Sequence, residues 1–162
     1  QGEVCQAAKG NAPGQVVLSG ATAAIERAVE MASEFGARRA VLLPVSAPFH
    51  CAMMQPAADA MKAALAEIDI KAPVVPLVAN VVAGEVTDPE EIRARLVEQV
   101  TGAVRWRESV QFMAGAGVTT LYEIGAGGVL TGLARRIERS LDAVSVGTPE
   151  EVENAAQALG AA

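Results

Sequence analysis

Apolar residues fall along this chain in two patterns: short continuous runs bounded by Gly, Pro or Asn, and longer stretches that repeat every three to four positions. The runs predict buried strands, and the repeats predict helices with one apolar face. After a polar, small-residue lead-in over residues 1–14, the run at 15–19 predicts a strand between glycines. Residues 21–35 predict a helix with Ala24, Ile25, Val29 and Ala32 on its inner face, and Gly36 stands at the expected C-cap. Residues 39–45 predict a second strand. Ser46-Ala47-Pro48 breaks it, so Phe49 and His50 fall on a loop.

A helix starts near Cys51, carrying Met53, Ala57, Met61, Leu65 and Ile68 at helical spacing, with Pro56 in its first turn. Residues 73–79 predict a proline-flanked strand ended by Asn80. Thr87 and Asp88 are cap candidates for a helix over 89–99, with Pro89 at its first position. Residues 107–116 predict another helix, 119–124 a strand, 125–128 a tight turn, and 129–139 a helix with a basic end. A strand at 143–146 and a helix from Pro149 close the pattern. Such alternation predicts an α/β protein with a largely parallel sheet.

Composition narrows the function classes. Half of the 162 residues are apolar, enough for one sizeable core. No apolar run approaches the roughly 18–20 residues of a membrane span, and the first residues lack a signal peptide's pattern, so a soluble, cytoplasmic protein is expected. A net charge of −6, one Trp, one Tyr and three Phe speak against a nucleic-acid surface. Cys5 and Cys51 lie far apart without paired spacing, which predicts two reduced thiols and no metal knuckle.

His50 is the single histidine, so any histidine-dependent proton transfer within this chain must use it. Its loop follows a predicted strand, where α/β folds display ligand-facing groups; a capped surface histidine is the plain alternative. With only Cys51 beside it, no metal is expected. The turn Gly125-Ala126-Gly127-Gly128 between strand and helix invites a phosphate, yet Leu130 fills the third glycine position and no Walker lysine follows. A tight packing turn is the better reading. Arg38 and Arg39, and Arg135, Arg136 and Arg139, form two basic clusters that suit either an acidic partner or a solvated face.

Several segments in order resemble one family, the malonyl-CoA:acyl-carrier-protein transacylases. They are Asn11-Ala-Pro-Gly-Gln-Val-Val-Leu-Ser-Gly20, Leu43-Pro-Val-Ser-Ala-Pro-Phe-His-Cys51 with Met54 and Pro56, Val78-Ala-Asn-Val81, Val104-Arg-Trp-Arg-Glu-Ser-Val110 and Tyr122-Glu-Ile-Gly-Ala-Gly-Gly-Val-Leu-Thr-Gly-Leu133. The resemblance implies the C-terminal part of an α/β-hydrolase-like large subdomain over 45–162, and the rear part of an inserted ferredoxin-like subdomain over 1–44. It implies malonyl transfer from coenzyme A to the phosphopantetheine thiol of acyl carrier protein through a malonyl-serine, in a protein that is a monomer when intact. His50 would be the base, the Gln99 backbone carbonyl its orienting partner, and Phe49, Asn11 and Asn80 substrate-side residues. Arg38, Arg39, Arg135 and Arg136 would dock the carrier. No cofactor beyond these substrates is implied.

The departures matter equally. No GxSxG elbow occurs, and Ser19, Ser33, Ser46, Ser109, Ser140 and Ser145 all lack its context. Ala126 and Gly128 replace the family's proline and lysine. The serine, the malonyl-pairing arginine and the oxyanion glutamine are therefore expected upstream of Gln1, and the chain alone is expected to be inactive. A noncatalytic carrier-binding remnant and a polyketide-synthase acyltransferase domain with another acyl unit are the rival readings.

Overall fold

A computed structural model describes residues 2–160. The chain opens on an antiparallel hairpin of β1 (Cys5–Ala12) and β2 (Gln15–Gly20). Pro13-Gly14 turns it, with Gly14 at φ +73°, the conformation that a Pro-Gly type II turn demands of its third residue. At the far end a Cβ on Gly20 would lie 2.0 Å from the Val4 carbonyl oxygen, so only glycine lets the chain pass. α1 (Thr22–Met31) follows, and after a short 3-10 helix (Ala52–Met54) comes α2 (Gln55–Ala66) with Pro56 in its first turn.

β3 (Leu77–Ala79) and β4 (Gly84–Val86) form a second antiparallel hairpin. α3 (Pro89–Thr101) is started by Asp88, whose carboxylate accepts from the Glu91 amide at 2.8 Å. Then come α4 (Trp106–Gly115), β5 (Thr120–Ile124), α5 (Val129–Ile137), β6 (Asp142–Val146) and α6 (Pro149–Ala158). A Thr148–Glu151 capping box opens α6.

Among the described residues the expected largely parallel sheet is not formed. Of the strand pairs described, β5–β6 is parallel and the other two are antiparallel, and the three are separate two-stranded sheets, with one isolated parallel bridge between Lys9 and Val104. The strand expected at 39–45 is irregular chain, with Val41, Leu42, Leu43 and Val45 each more than half exposed. Extended apolar chain becomes a strand only when another edge takes up its N–H and C=O groups, and among the described residues none does. At 73–79 only the last three residues pair, since Pro73 and Pro76 have no N–H to donate. β1 was hidden by its polar Lys9-Gly10-Asn11 stretch, where the ladder is irregular.

The core lies between α4, α5 and the β5–β6 pair. Val110, Ala134, Leu141 and Ala143 are its buried residues, with Trp106, Met113, Leu121 and Ile137 packed around them. β1 is fastened to the stretch before α4 by Gly10 N–H donating to the Val104 carbonyl at 2.9 Å and Val104 N–H to the Ala8 carbonyl at 2.8 Å. α2 packs on α3, and α3 also meets the short helix that follows His50.

Candidate active site

His50 sits at φ +60°, a left-handed conformation that a non-glycine residue holds only when its surroundings enforce it. The enforcement is visible on both sides. Before it, the Phe49 amide donates back to the Ala47 carbonyl at 2.9 Å. After it, Cys51 is wholly buried and its thiol points to the Pro48 carbonyl at 3.1 Å. The Gln6 side chain of β1 then accepts the Ala52 amide at 2.7 Å, clamping the start of the short helix. Sequence and burial together therefore set the ring's origin.

The ring's direction comes from α3. His50 Nδ1 lies 3.0 Å from the Gln99 carbonyl oxygen. The last four carbonyls of a helix have no partner within it, and in this 13-residue helix the Glu98 carbonyl is taken by the Gly102 amide at 2.8 Å and the Gln99 carbonyl by the imidazole. A carbonyl oxygen only accepts, so Nδ1 carries the hydrogen and the neutral ring's lone pair stands on Nε2. The helix end also places partial negative charge beside the ring. Gln99 braces its own carbonyl: its Nε2 donates to the Gly102 carbonyl at 3.0 Å. His50 itself is half-buried, and Phe49 beside it is 45% exposed. This pair has a fixed tautomer and a nitrogen able to take a proton.

Of the residues that the family resemblance assigns to the site, His50 and Gln99 are joined by a direct hydrogen bond. Asn11 lies in the irregular stretch of β1. Asn80 holds the framework: its Oδ1 accepts from Ser109 Oγ at 3.2 Å, and its carbonyl accepts the Arg105 amide at 3.0 Å. The motif around Val104–Val110 is thereby explained as structure, with Val104 tied to β1, Arg105 reaching the Val82 carbonyl at 2.9 Å, and Val110 in the core. Arg38 and Arg39 are exposed on the irregular stretch after α1, and Arg136 on α5. Arg135 donates to the Ala143 carbonyl at 2.7 Å. Among the described residues no three His, Cys, Asp or Glu side chains gather to hold a metal ion, both cysteines are free, and no helix is long and apolar enough to cross a membrane.

The glycine turn proves to be packing. A Cβ on Gly147 would sit 2.7 Å from the Gly125 carbonyl, and Gly125 and Gly127 hold positive φ. The amides at the start of α5 are already taken by the Glu123 carboxylate, which accepts from Leu130 N at 3.0 Å and Thr131 N at 2.7 Å. An anion supplied by the chain itself fills the place a phosphate would take. The signal was an acidic residue just ahead of a glycine turn and a helix.

Those amides, Thr131 first and then Leu130, hold the Glu123 carboxyl below the usual carboxylate range. A lowered folded value means the stabilisation is complete above the unfolded value of about 4.3 and fades as pH falls toward the folded one. Glu123→Gln is therefore expected to lower the midpoint of thermal unfolding at pH 7, with the difference from the parent shrinking below about pH 4. An equal difference at pH 3 and pH 7 would contradict the role.

No family model matches the chain. Curated relatives do: it is 43% identical over 159 residues to the malonyl CoA-acyl carrier protein transacylase of Bacillus subtilis, covering 98% of this chain and 50% of that protein. Its likeness to the Escherichia coli K12 protein of the same name is 46% over 149 residues, covering 92% and 48%. Among solved structures, acyl-carrier-protein-S-malonyltransferase from Bartonella henselae superposes with a TM-score of 0.92 at 58% identity, covering 97% of this chain and 50% of that one. A malonyl-transacylase in complex with a type II polyketide acyl-carrier protein gives a TM-score of 0.92 at 42% identity, covering 98% and 51%. The chain thus spans about half the length of the relatives it matches, and the half it matches is their C-terminal one. By descent and by fold, the chain belongs to the malonyl CoA-acyl carrier protein transacylase family, as a counterpart of the C-terminal half of its members.

Proposed function

We propose that this chain is the histidine-bearing half of an enzyme that moves a malonyl group from coenzyme A to the phosphopantetheine thiol of an acyl carrier protein, in fatty acid or polyketide synthesis. One observation carries the reading: Nδ1 bound to a helix-end carbonyl leaves Nε2 as the free base. A serine hydroxyl from outside this chain gives its proton to Nε2 as its oxygen attacks the malonyl thioester. The carbon–sulfur bond breaks, the coenzyme A thiolate leaves with the proton, and a malonyl-serine ester remains. The carrier thiol then gives its proton to the same Nε2, attacks the ester, and returns the serine to its hydroxyl form. A neutral carbonyl in place of the usual triad aspartate orients the ring without burying a second charge.

Around this base, Phe49 crowds the position of an α-methyl group and so favours malonate over methylmalonate. Asn11 and Asn80 lie on the substrate side, and Arg38, Arg39, Arg135 and Arg136 attract an acidic carrier. The protein needs no cofactor of its own, because the pantetheine arm arrives on the substrates. In the full protein, residues 1–44 belong to a ferredoxin-like insert and 45–162 to an α/β-hydrolase-like body, in a cytoplasmic monomer.

A base without its nucleophile and oxyanion site retains little catalysis. The isolated chain is therefore expected to take up no label from radiolabelled malonyl-CoA. Joining the unmatched upstream half of the Bacillus subtilis relative to this chain is expected to create labelling. A labelled isolated chain would defeat the assignment of the nucleophile to the other half.

A further inference from the structure

From the contact between β1 and the chain just past His50 we infer that Gln6 is a positioning residue for the proton transfer: it fixes the backbone that follows His50 and so keeps the ring on the Gln99 carbonyl. The inference deepens the reading of His50 as the base and rests on it.

A ring carried by a left-handed residue is only as fixed as the peptides on either side of it. On the near side of His50 the holding contacts are local, from Phe49 N–H to the Ala47 carbonyl and from the Cys51 thiol to the Pro48 carbonyl. On the far side the short helix Ala52–Met54 begins with an amide that has no partner inside the helix. Cys51, at its N-cap, makes no side-chain cap bond, because its thiol is turned back to Pro48. Gln6 does the capping from 46 residues away, its Oε1 accepting the Ala52 N–H at 2.7 Å. Among the described residues this is the one hydrogen bond that reaches the backbone of 48–54 from a distant part of the chain.

Gln6 can anchor because its strand is anchored. Ala8, two residues on and on the same side of β1, is 1% exposed. Its carbonyl accepts the Val104 amide at 2.8 Å, and Gly10 N–H donates to the Val104 carbonyl at 2.9 Å. His50 is therefore held from two directions, its ring by the end of α3 and its following backbone by β1. Without the Gln6 bond, the strained φ of +60° is the degree of freedom that relaxes, since no glycine stands there to tolerate it. The ring then spends part of its time off the Gln99 carbonyl, and Nε2 moves with it. Such a loss falls on the rate of proton transfer and not on the binding of substrate. Direct contact between Gln6 and the acyl group is the competing role, and it would appear in KM.

Gln6→Met removes the acceptor at nearly constant length, and Gln6→Glu keeps one. Gln6 is exposed, so neither change opens a core cavity. At a pH where the ring is neutral, nitrogen-15 spectra of the Gln6→Met chain are expected to show His50 averaging between tautomers, and the Ala52 amide is expected to exchange faster than in the parent. In the fused protein described above, Gln6→Met is expected to lower kcat roughly fivefold, the worth of one hydrogen bond, with KM unchanged. Gln6→Glu is expected to restore both the ring signature and kcat. A Gln6→Met variant with the parent's ring spectrum and kcat overturns the inference, as does one that raises KM alone. If the fusion fails to fold, the ring spectra of the two variants of this chain decide. Loosening of the ring by Gln6→Met in a protein whose His50→Ala variant stays active leaves the positioning standing and removes the catalytic reading. Loss of transfer in His50→Ala with no effect of Gln6→Met does the reverse.

Discussion

Replacing His50 by Ala in the fused enzyme is expected to slow malonyl transfer about a thousandfold or more, while leaving its unfolding transition in place. The size follows from the unit to which the ring belongs: losing the base of a nucleophile–base pair costs nearly as much as losing the nucleophile. Retained folding follows from position, because His50 is a half-buried loop residue at φ +60°, where removing a ring opens no core cavity. Gln99→Ala supplies the contrast. The imidazole is held by a backbone carbonyl, which alanine keeps, so this substitution loses only the brace to Gly102 and is expected to cost less than about tenfold. Equal losses from the two substitutions would show that the Gln99 side chain, and not its carbonyl, does the orienting.

Gly102→Ala is expected to damage both stability and rate. A Cβ there would lie 2.7 Å from the Val81 Cγ2 methyl and 2.8 Å from the Glu98 carbonyl oxygen. The methyl can rotate aside, but the carbonyl belongs to the helix backbone and accepts the Gly102 amide. The end of α3 must shift to make room, at about 1–3 kcal/mol of overpacking. That helix end carries the carbonyl on which His50 is aimed, and a displacement near 1 Å of a positioning group costs on the order of a hundredfold in rate. Denaturant unfolding and steady-state transfer measured on the same variant check the pairing of the two losses. A variant that is destabilised yet fully active would uncouple the helix end from the site.

The helices were legible in the sequence because each carries its own instructions. Asp88-Pro89 and Thr148-Pro149 announce two starts, and both side chains do accept the third helical amide. The strands were less legible, since a strand's hydrogen bonds lie outside itself. The stretch 39–45 reads as a strand and pairs with nothing described, whereas β1 (Cys5–Ala12) falls inside what reads as a polar lead-in over 1–14 and pairs along β2. His50 stood out as the lone histidine on a loop. Its link to Gln99, 49 residues away, came from family resemblance, because no spacing rule connects a loop ring to a helix-end carbonyl. Gln6, which clamps the chain just past His50, was missed for the same reason: its partner is a backbone amide 46 residues on.

Having one histidine makes the tautomer directly readable. In nitrogen-15 spectra of the chain at a pH where the ring is neutral, the proton is expected on Nδ1 and the lone pair on Nε2. A ring protonated on Nε2, or one averaging freely between both forms, would contradict the base on which the proposed transfer depends.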